Sequence, residues 1–513
     1  MFRIYRADKR IVYLKASHRY LKTLPRSRVL FPSLSLALLL CTGCMTVGPD
    51  YVRPDTKAPE KWSVSLQQGI NTERPDPQVL ADWWSTLRDP LLTDLIQRAV
   101  LGNPDLKKAK ARVRESRARR GISKAGQLPS LSALASMSRR RSSEDTGSGT
   151  ESDVYDAGFD AAWEIDVFGG LRRSVESAEA ELEASREDLR DVLVSLTAEV
   201  ALNYVENRSF QKRLAIAEAN LDAQTETYNI TRWRFMAGLT TQLDVEQAKY
   251  SLEQTKSQIP ALRAGHEQAG NRLAVLLGLA PGLLRAELAE FKPVPVPPGE
   301  IAVGIPVDVL RNRPDVRREE RRLAARTADV GVATADLYPK FNLSGSLGFQ
   351  ALTFDNLFQF GSRTYGARPA IAWSLFEGGR IENNIEVQNA LQEQAMIQYE
   401  QTVLTALEEV ENALLTYAEN QTRMRALNEA ADAAQRAVDL AQNQYSSGLV
   451  DFQTLLVAQR SLLSLQDQLA GSRADVTSSL IRLYKSLGGG WKTMDPEKEQ
   501  QILSEGEYHE TGE

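Results

Sequence analysis

The stretch Tyr155-Asp156-Ala157-Gly158-Phe159-Asp160-Ala161-Ala162-Trp163-Glu164-Ile165-Asp166-Val167 alternates without a break. Tyr155, Ala157, Phe159, Ala161, Trp163, Ile165 and Val167 fall on one side, and Asp156, Asp160, Glu164 and Asp166 on the other. Period-two patterning of this kind makes a strand with one apolar and one acidic face. A second run has the same character, with Phe341, Leu343, Gly345, Leu347, Phe349 and Ala351 alternating against Lys340, Asn342, Ser344, Ser346 and Gln350. Tyr365 to Leu375 supplies a third strand and Leu131 to Met137 a weaker fourth, paired through the polar loops 141–153 and 353–363.

Each strand is about as long as a transmembrane β-strand, which takes roughly 9–11 residues. Four strands cannot close a barrel, and in hydrocarbon every unpaired edge N–H or C=O costs several kcal/mol. If the strands meet lipid, several chains must therefore share one barrel. The competing arrangement is a small water-soluble sandwich capping a helical bundle.

Working outward from the strands, the chain repeats itself. Pro104-Asp105 recurs as Pro314-Asp315, a spacing of 210, and Pro129/Pro339, Trp163/Trp373, Gly238/Gly448 and Gly278/Gly488 keep that spacing. One copy spans residues 82–281 and the other 307–490, joined by a Pro-rich linker over 282–306. Before them lies a Pro-rich, polar segment, 44–81, expected to be extended or disordered, and after them an acidic tail, 491–513.

Both copies are mainly helical. Asn103-Pro104-Asp105 provides a cap, a first-turn proline and an acid at the positive helix end, opening a helix to about Ala125. Val175, Ala178, Leu182, Leu189, Val192 and Leu196 follow coiled-coil spacing, as do Leu404, Leu407, Val410, Leu414 and Tyr417. A helix from Leu171 to Met236 would be about 100 Å long. Each copy is expected to hold a long antiparallel helical hairpin with its tip at Gly238 or Gly448. The fold class is thus mainly α with a small β part.

The N-terminus reads as a secretion signal over residues 1–43. The apolar run Val29 to Cys41 follows Arg26 and Arg28 and is too short to span a bilayer. Thr42-Gly43-Cys44 resembles the end of a lipoprotein signal, which makes Cys44 the lipidation site and the covalent lipid the only attached group expected; Cys41 stands where leucine is usual. An ordinary secreted protein cut nearby is the alternative. The net charge of −5 excludes a nucleic-acid partner, and three scattered histidines, His18, His266 and His509, offer no metal cluster or catalytic constellation. No enzyme is expected.

Val47-Gly48-Pro49-Asp50-Tyr51, Trp83-Trp84, Asp89-Pro90-Leu91, Arg313-Pro314-Asp315-Val316, Trp373-Ser374-Leu375-Phe376 and Tyr445-Ser446-Ser447-Gly448 leading to Ala458-Gln459-Arg460 together resemble the TolC-like outer membrane factors, most closely the lipidated OprM and NodT-type branch. The resemblance covers nearly all of the chain after Cys44. It implies a homotrimer in the outer-membrane bilayer with a twelve-stranded β-barrel continued by a periplasmic α-barrel. It also implies a periplasmic adaptor and an inner-membrane pump, commonly of the RND class, as partners, with drugs or other small molecules as cargo. A type I protein-secretion duct and a periplasmic coiled-coil tether without a pore are the other readings.

The same resemblance places a gate where the hairpin tips converge, at residues 237–245 and 447–457, with Asp244, Thr241, Tyr445 and Asp451 as its polar candidates. Related channels often carry an Asp just before the Ala-Gln-Arg motif, where this chain has Val457. Asp156, Asp160, Glu164 and Asp166 are the residues expected to face water inside the barrel.

Overall fold

A computed structural model describes residues 46–491, apart from 56, 57, 65, 67 and 68; Cys44, the signal segment and the tail beyond Trp491 lie outside the described residues. In chain order the elements are β1 (Ile70–Asn71), α1 (Pro77–Ala81), a 3-10 turn (Trp83–Leu87), α2 (Pro90–Gly102), α3 (Pro104–Ala125), β2 (Ser130–Arg141), β3 (Glu151–Ile165), α4 (Gly170–Met236) and α5 (Gln242–Leu276). There follow α6 (Arg285–Leu288), β4 (Ile301–Ala302), α7 (Pro306–Asn312), α8 (Pro314–Ala335), β5 (Lys340–Ala351), β6 (Arg363–Ala372), α9 (Arg380–Ser446) and α10 (Phe452–Ser486).

The duplication is visible atom by atom. Gly169 and Gly379 open the long helices with φ of 84° and 85°, and Gly238 and Gly448 close them with φ of 71° and 73°. These left-handed values suit glycine, which has no Cβ to clash. Asn103 bonds through its side chain to Leu276 O at 2.9 Å, and its counterpart Arg313 reaches Ser486 O at the same distance. Asn103 also caps Leu106 N; Arg313 has no such cap bond and is held by Asp315 and Glu409 instead.

The helical hairpins have unequal arms. Helices α4 and α9 have 67 residues each, about 100 Å, whereas α5 and α10 have 35. Helix α5 therefore covers only the tip-side half of α4; the other half packs on α3 and α8. Leu182, Leu189 and Leu196 are buried in this seam, as are Val410, Leu414 and Tyr417 in the second copy. Leu404 is 67% exposed, because the buried stripe of α9 enters through Tyr399, Val403 and Ala406 rather than along the expected line. Pro260 sits inside α5 without ending it. The halves are tied by Arg213 to Asp467 at 2.7 and 3.0 Å, linking α4 to α10.

Where described, the N-terminal Pro-rich segment is extended and anchored rather than disordered. The described residues between 46 and 71 form a strap held by apolar anchors spaced between polar residues, a pattern that composition averages away. Trp62 and Ile70 are buried, Trp62 donates its indole N–H to Gly304 O at 2.9 Å, and β1 pairs in parallel with β4. The linker is fastened too, with Pro295 O accepting the Thr477 hydroxyl at 2.8 Å. Trp83 is fully buried and stacks on Tyr484 at 5.5 Å between centroids.

Candidate functional site

The four long strands form one antiparallel sheet in the order β2-β3-β5-β6, so the two hairpins join through β3 and β5. Residues directly across from each other share a face. Leu131 opposes Ala161, Met137 opposes Tyr155, Phe159 opposes Leu347, Trp163 opposes Leu343 and Ile165 opposes Phe341. All of these stand on one side. The other side carries Ser136, Asp156 and Gln350 in one row and Ser132, Asp160 and Ser346 in the next, with Glu164 opposite Asn342.

The apolar side is unprotected in the single chain: Leu131 is 72% exposed, Leu347 63% and Tyr365 87%. Soluble monomers rarely leave so many large apolar side chains contiguous and open. Strands β2 and β6 also present unpaired edges. No helix among the described residues is long and apolar enough to cross a membrane.

Of the four acids expected to face water in the barrel, Asp156, Asp160 and Glu164 lie on the polar side of β3, and Gln350 donates to Asp156 at 2.7 Å. Asp166 lies past the end of β3, where its carboxylate accepts from Arg172 N at 2.8 Å and from the Arg172 guanidinium. It holds the strand-to-helix turn, a contact invisible to an alternation pattern. The 353–363 loop also differs from its expected polar character, for Phe354, Phe358 and Phe360 are exposed there and Leu357 is buried.

The far end of each hairpin is a tight turn with an inverted pair of caps. In the first copy Thr241 is the N-cap: its hydroxyl accepts from Asp244 N at 3.3 Å, and Asp244 accepts from Thr241 N at 3.0 Å, a reciprocal capping box. In the second copy the residue types trade places. Asp451 is the N-cap and accepts from both Thr454 N, at 2.9 Å, and the Thr454 hydroxyl, at 2.6 Å.

Burial pushes the Asp244 carboxyl up, but hydrogen bonds from Thr240 and Thr241 outweigh it, leaving a carboxyl below the ordinary value. The hydroxyl and N–H of Thr454 hold Asp451 low as well, slightly opposed by the charge of Asp244. Tyr445 is buried against Phe452, with the Arg234 guanidinium 4.6 Å above its ring. Tyr445 Oη and Arg234 Nε have no hydrogen-bond partner among the described residues. Arg234 was not anticipated from sequence, since a lone basic residue on a helix gives no signal of its place near a tip.

At the sheet end, Thr46 packs against Gly169 and Val47 N bonds to Phe168 O at 3.0 Å, so the first described residues lie at the junction of sheet and helices.

The outer membrane efflux protein family model matches residues 95–279 and 305–489, once per copy. The chain belongs to the outer membrane efflux protein family. It is an outer-membrane efflux channel of this family rather than a member of an enzyme class. It is 31% identical to nodulation protein T of Rhizobium leguminosarum bv. trifolii over 88% of this chain and 96% of that protein. It is 31% identical to the toluene efflux pump outer membrane protein TtgI of Pseudomonas putida over 90% and 98%. Among solved structures, the outer-membrane channel OprN superposes with a TM-score of 0.82 at 37% identity, over 87% of this chain and 99% of that one. The open state of the Neisseria gonorrhoeae MtrE outer membrane channel gives 0.77 at 28% identity, over 87% and 99%.

Within the efflux family frame the two ends of the molecule acquire directions: the sheet marks the outer-membrane end, and the caps at Thr241 and Asp451 mark the other.

Proposed function

We propose that three copies of the chain form the exit duct of a tripartite efflux system. The observation that carries this reading is the open sheet, with one apolar face, one polar face and two unpaired edges. Joining β6 of one copy to β2 of the next three times gives a twelve-stranded barrel with no edges left. The apolar side then meets lipid, and Asp156, Asp160 and Glu164 line water, favouring cations by their field.

Helices α4, α5, α9 and α10 continue the barrel as a periplasmic tunnel, closed where the tips of three chains meet. Asp244, Thr241, Tyr445 and Asp451 stand at that closure. A periplasmic adaptor engages the tips and an inner-membrane pump of the RND class drives transport. A lipid on Cys44 fastens the chain to the outer membrane, a reading supported by the position of Thr46 at the sheet junction. Cargo is a small amphiphile, in keeping with relatives named for toluene efflux and, in Pseudomonas aeruginosa, pyoverdine export.

Single-channel recording of the purified protein in a planar bilayer tests the duct. Discrete conductance steps from a heat-resistant oligomer are expected; a protein that remains a monomer without conductance overturns the reading.

A further inference from the structure

Helix α3 packs on α4, α4 on α8 and α8 on α9, and at the middle seam of this layer lies an open cavity of about 540 Å³. Six arginines and three glutamates line it, an excess of three positive charges. Each glutamate already holds an arginine. Glu187 bridges Arg190 at 2.6 Å and Arg317 at 2.7 Å across the seam, Glu320 bridges Arg53 of the strap at 2.9 Å and Arg321 at 2.6 Å, and Glu183 takes Arg321 at 3.2 Å. Arg186 and Arg311 make no ion pair among the described residues.

Like charges also stand one turn apart here, Arg186 with Arg190 on α4 and Arg317 with Arg321 on α8, a spacing at which equal signs destabilise a helix. A network that only joined the helices would balance its signs, and this one keeps guanidinium groups to spare. The guanidinium fork matches carboxylate and phosphate oxygens in pairs, and low-dielectric walls focus the field of the surplus charge into the space between them. Arg186 lies on α4 and Arg311 on α7, on different walls of a cavity much larger than one phosphate or carboxylate group. A ligand that satisfies both must therefore carry more than one oxyanionic group.

The position selects the source of that ligand. Arg186 stands sixteen residues into α4, about 24 Å along the helix from Gly170 at the sheet end. Given the sheet as the membrane-spanning part, on which this step rests, the cavity lies beyond the reach of lipid headgroups and opens to water.

We propose that the cavity is a binding site for a small soluble anion with several phosphate or carboxylate groups, gripped by Arg186 and Arg311 and flanked by Arg53 and Arg317. The bound anion ties α4 of the first copy to α7 and α8 of the second and to the strap. Its hold weakens as salt screens the charges.

Calorimetric titration of the purified full-length protein in detergent at low salt, with inorganic pyrophosphate and with citrate as separate probes, tests the site. Saturable binding of at least one probe is expected, with a single site per chain and a higher melting temperature of the liganded oligomer. In Arg186→Gln/Arg311→Gln the affinity should fall at least about tenfold, whereas Lys256→Gln on α5 should leave it unchanged. Arg186→Lys/Arg311→Lys keeps the charge and should retain part of the affinity, which separates loss of the site from loss of the fold. Failure of both probes to bind saturably, or binding indifferent to the glutamine substitutions, overturns the proposal. Uptake of short-chain phosphatidylglycerol at the cavity, where neither soluble probe binds, overturns it as well and assigns the arginines to headgroups. Heat is read without current, so a failed titration leaves the duct standing, and absent conductance leaves the titration readable.

Discussion

Trp163 and Trp373 make the same hydrogen bond: each donates its indole N–H, at 3.0 Å, to the carbonyl of the residue 36 positions earlier, Gln127 and Leu337 respectively. Both rings stand at the helix side of the sheet, where a tryptophan with an apolar body and a polar edge suits a membrane–water boundary. Trp163→Phe and Trp373→Phe keep the ring and lose the donor. Each is expected to cost about 0.5–1.5 kcal/mol, read as a lower melting temperature of the oligomer in detergent. A loss in one variant and none in the other would mean that the two bonds differ in weight despite their equal geometry.

At the tip, capping and charge can be separated. Asp451→Ala removes both the cap and the carboxylate, whereas Asp451→Asn keeps a competent cap and removes only the charge. If Asp451 screens ions or holds the tip closed by its charge, both variants raise single-channel conductance. If it serves only as a cap, Asp451→Ala alone changes behaviour, with a stability loss of about 1 kcal/mol.

The caps also set a pH dependence. Asp244 and Asp451 have carboxyls held below the ordinary value in the folded protein, by Thr240 and Thr241 in one case and Thr454 in the other. A depressed carboxyl contributes stability that is present above the unfolded value, about 3.9, and disappears as pH falls through the folded one. Hydrogen exchange at residues 237–250 and 447–458 should therefore be flat from neutral pH down to about 5 after correction for intrinsic rates, and rise only below about 4. A rise near pH 6 would require another titrating group.

The strap has its own test. Arg173 is buried and holds Val47 O at 3.2 Å, Gly48 O at 3.3 Å and Asp50 at 2.7 Å. A Cβ on Gly48 would lie 2.4 Å from the Gly331 α-carbon, so the strap and α8 touch backbone to backbone. Arg173→Ala is expected to cost about 1.5–3 kcal/mol, because the Asp50 and Glu176 carboxylates it leaves are open to water, and to expose residues 46–62 to protease while leaving the tips protected. Protease resistance equal to the parent protein would show that Trp62 and the β1–β4 pair hold the strap unaided.

Much of the fold was legible because the signals were long and repeated. The alternation around Phe159, the glycines at Gly238 and Gly448 and the spacing of 210 each survive local noise. What escaped was carried by single contacts. Asp166 continues the alternation in sequence, yet its carboxylate is taken by Arg172 beyond the strand end. Leu404 fits a heptad written on α9 alone, but the partner helices meet that helix along Tyr399 and Val403. The order of the strap rests on Trp62 and Ile70, two anchors in a segment whose average composition is polar. At the candidate gate, Thr241, Asp244 and Asp451 were legible as polar residues near a turn; their reciprocal bonding was not.

The inverted caps have a geometric outcome for the assembly. In matched positions Asp451 is the N-cap and Asp244 sits three residues into its helix, yet Asp244 reaches back to Thr241 N and Asp451 reaches forward to Thr454 N, so both carboxylates lie at the first turn of their helices. In a closed ring of three subunits the negative charge at the periplasmic mouth would form one collar, with a carboxylate from each half of the ancestral duplication. A cation drawn toward that mouth would be shared among these carboxylates instead of resting on one of them.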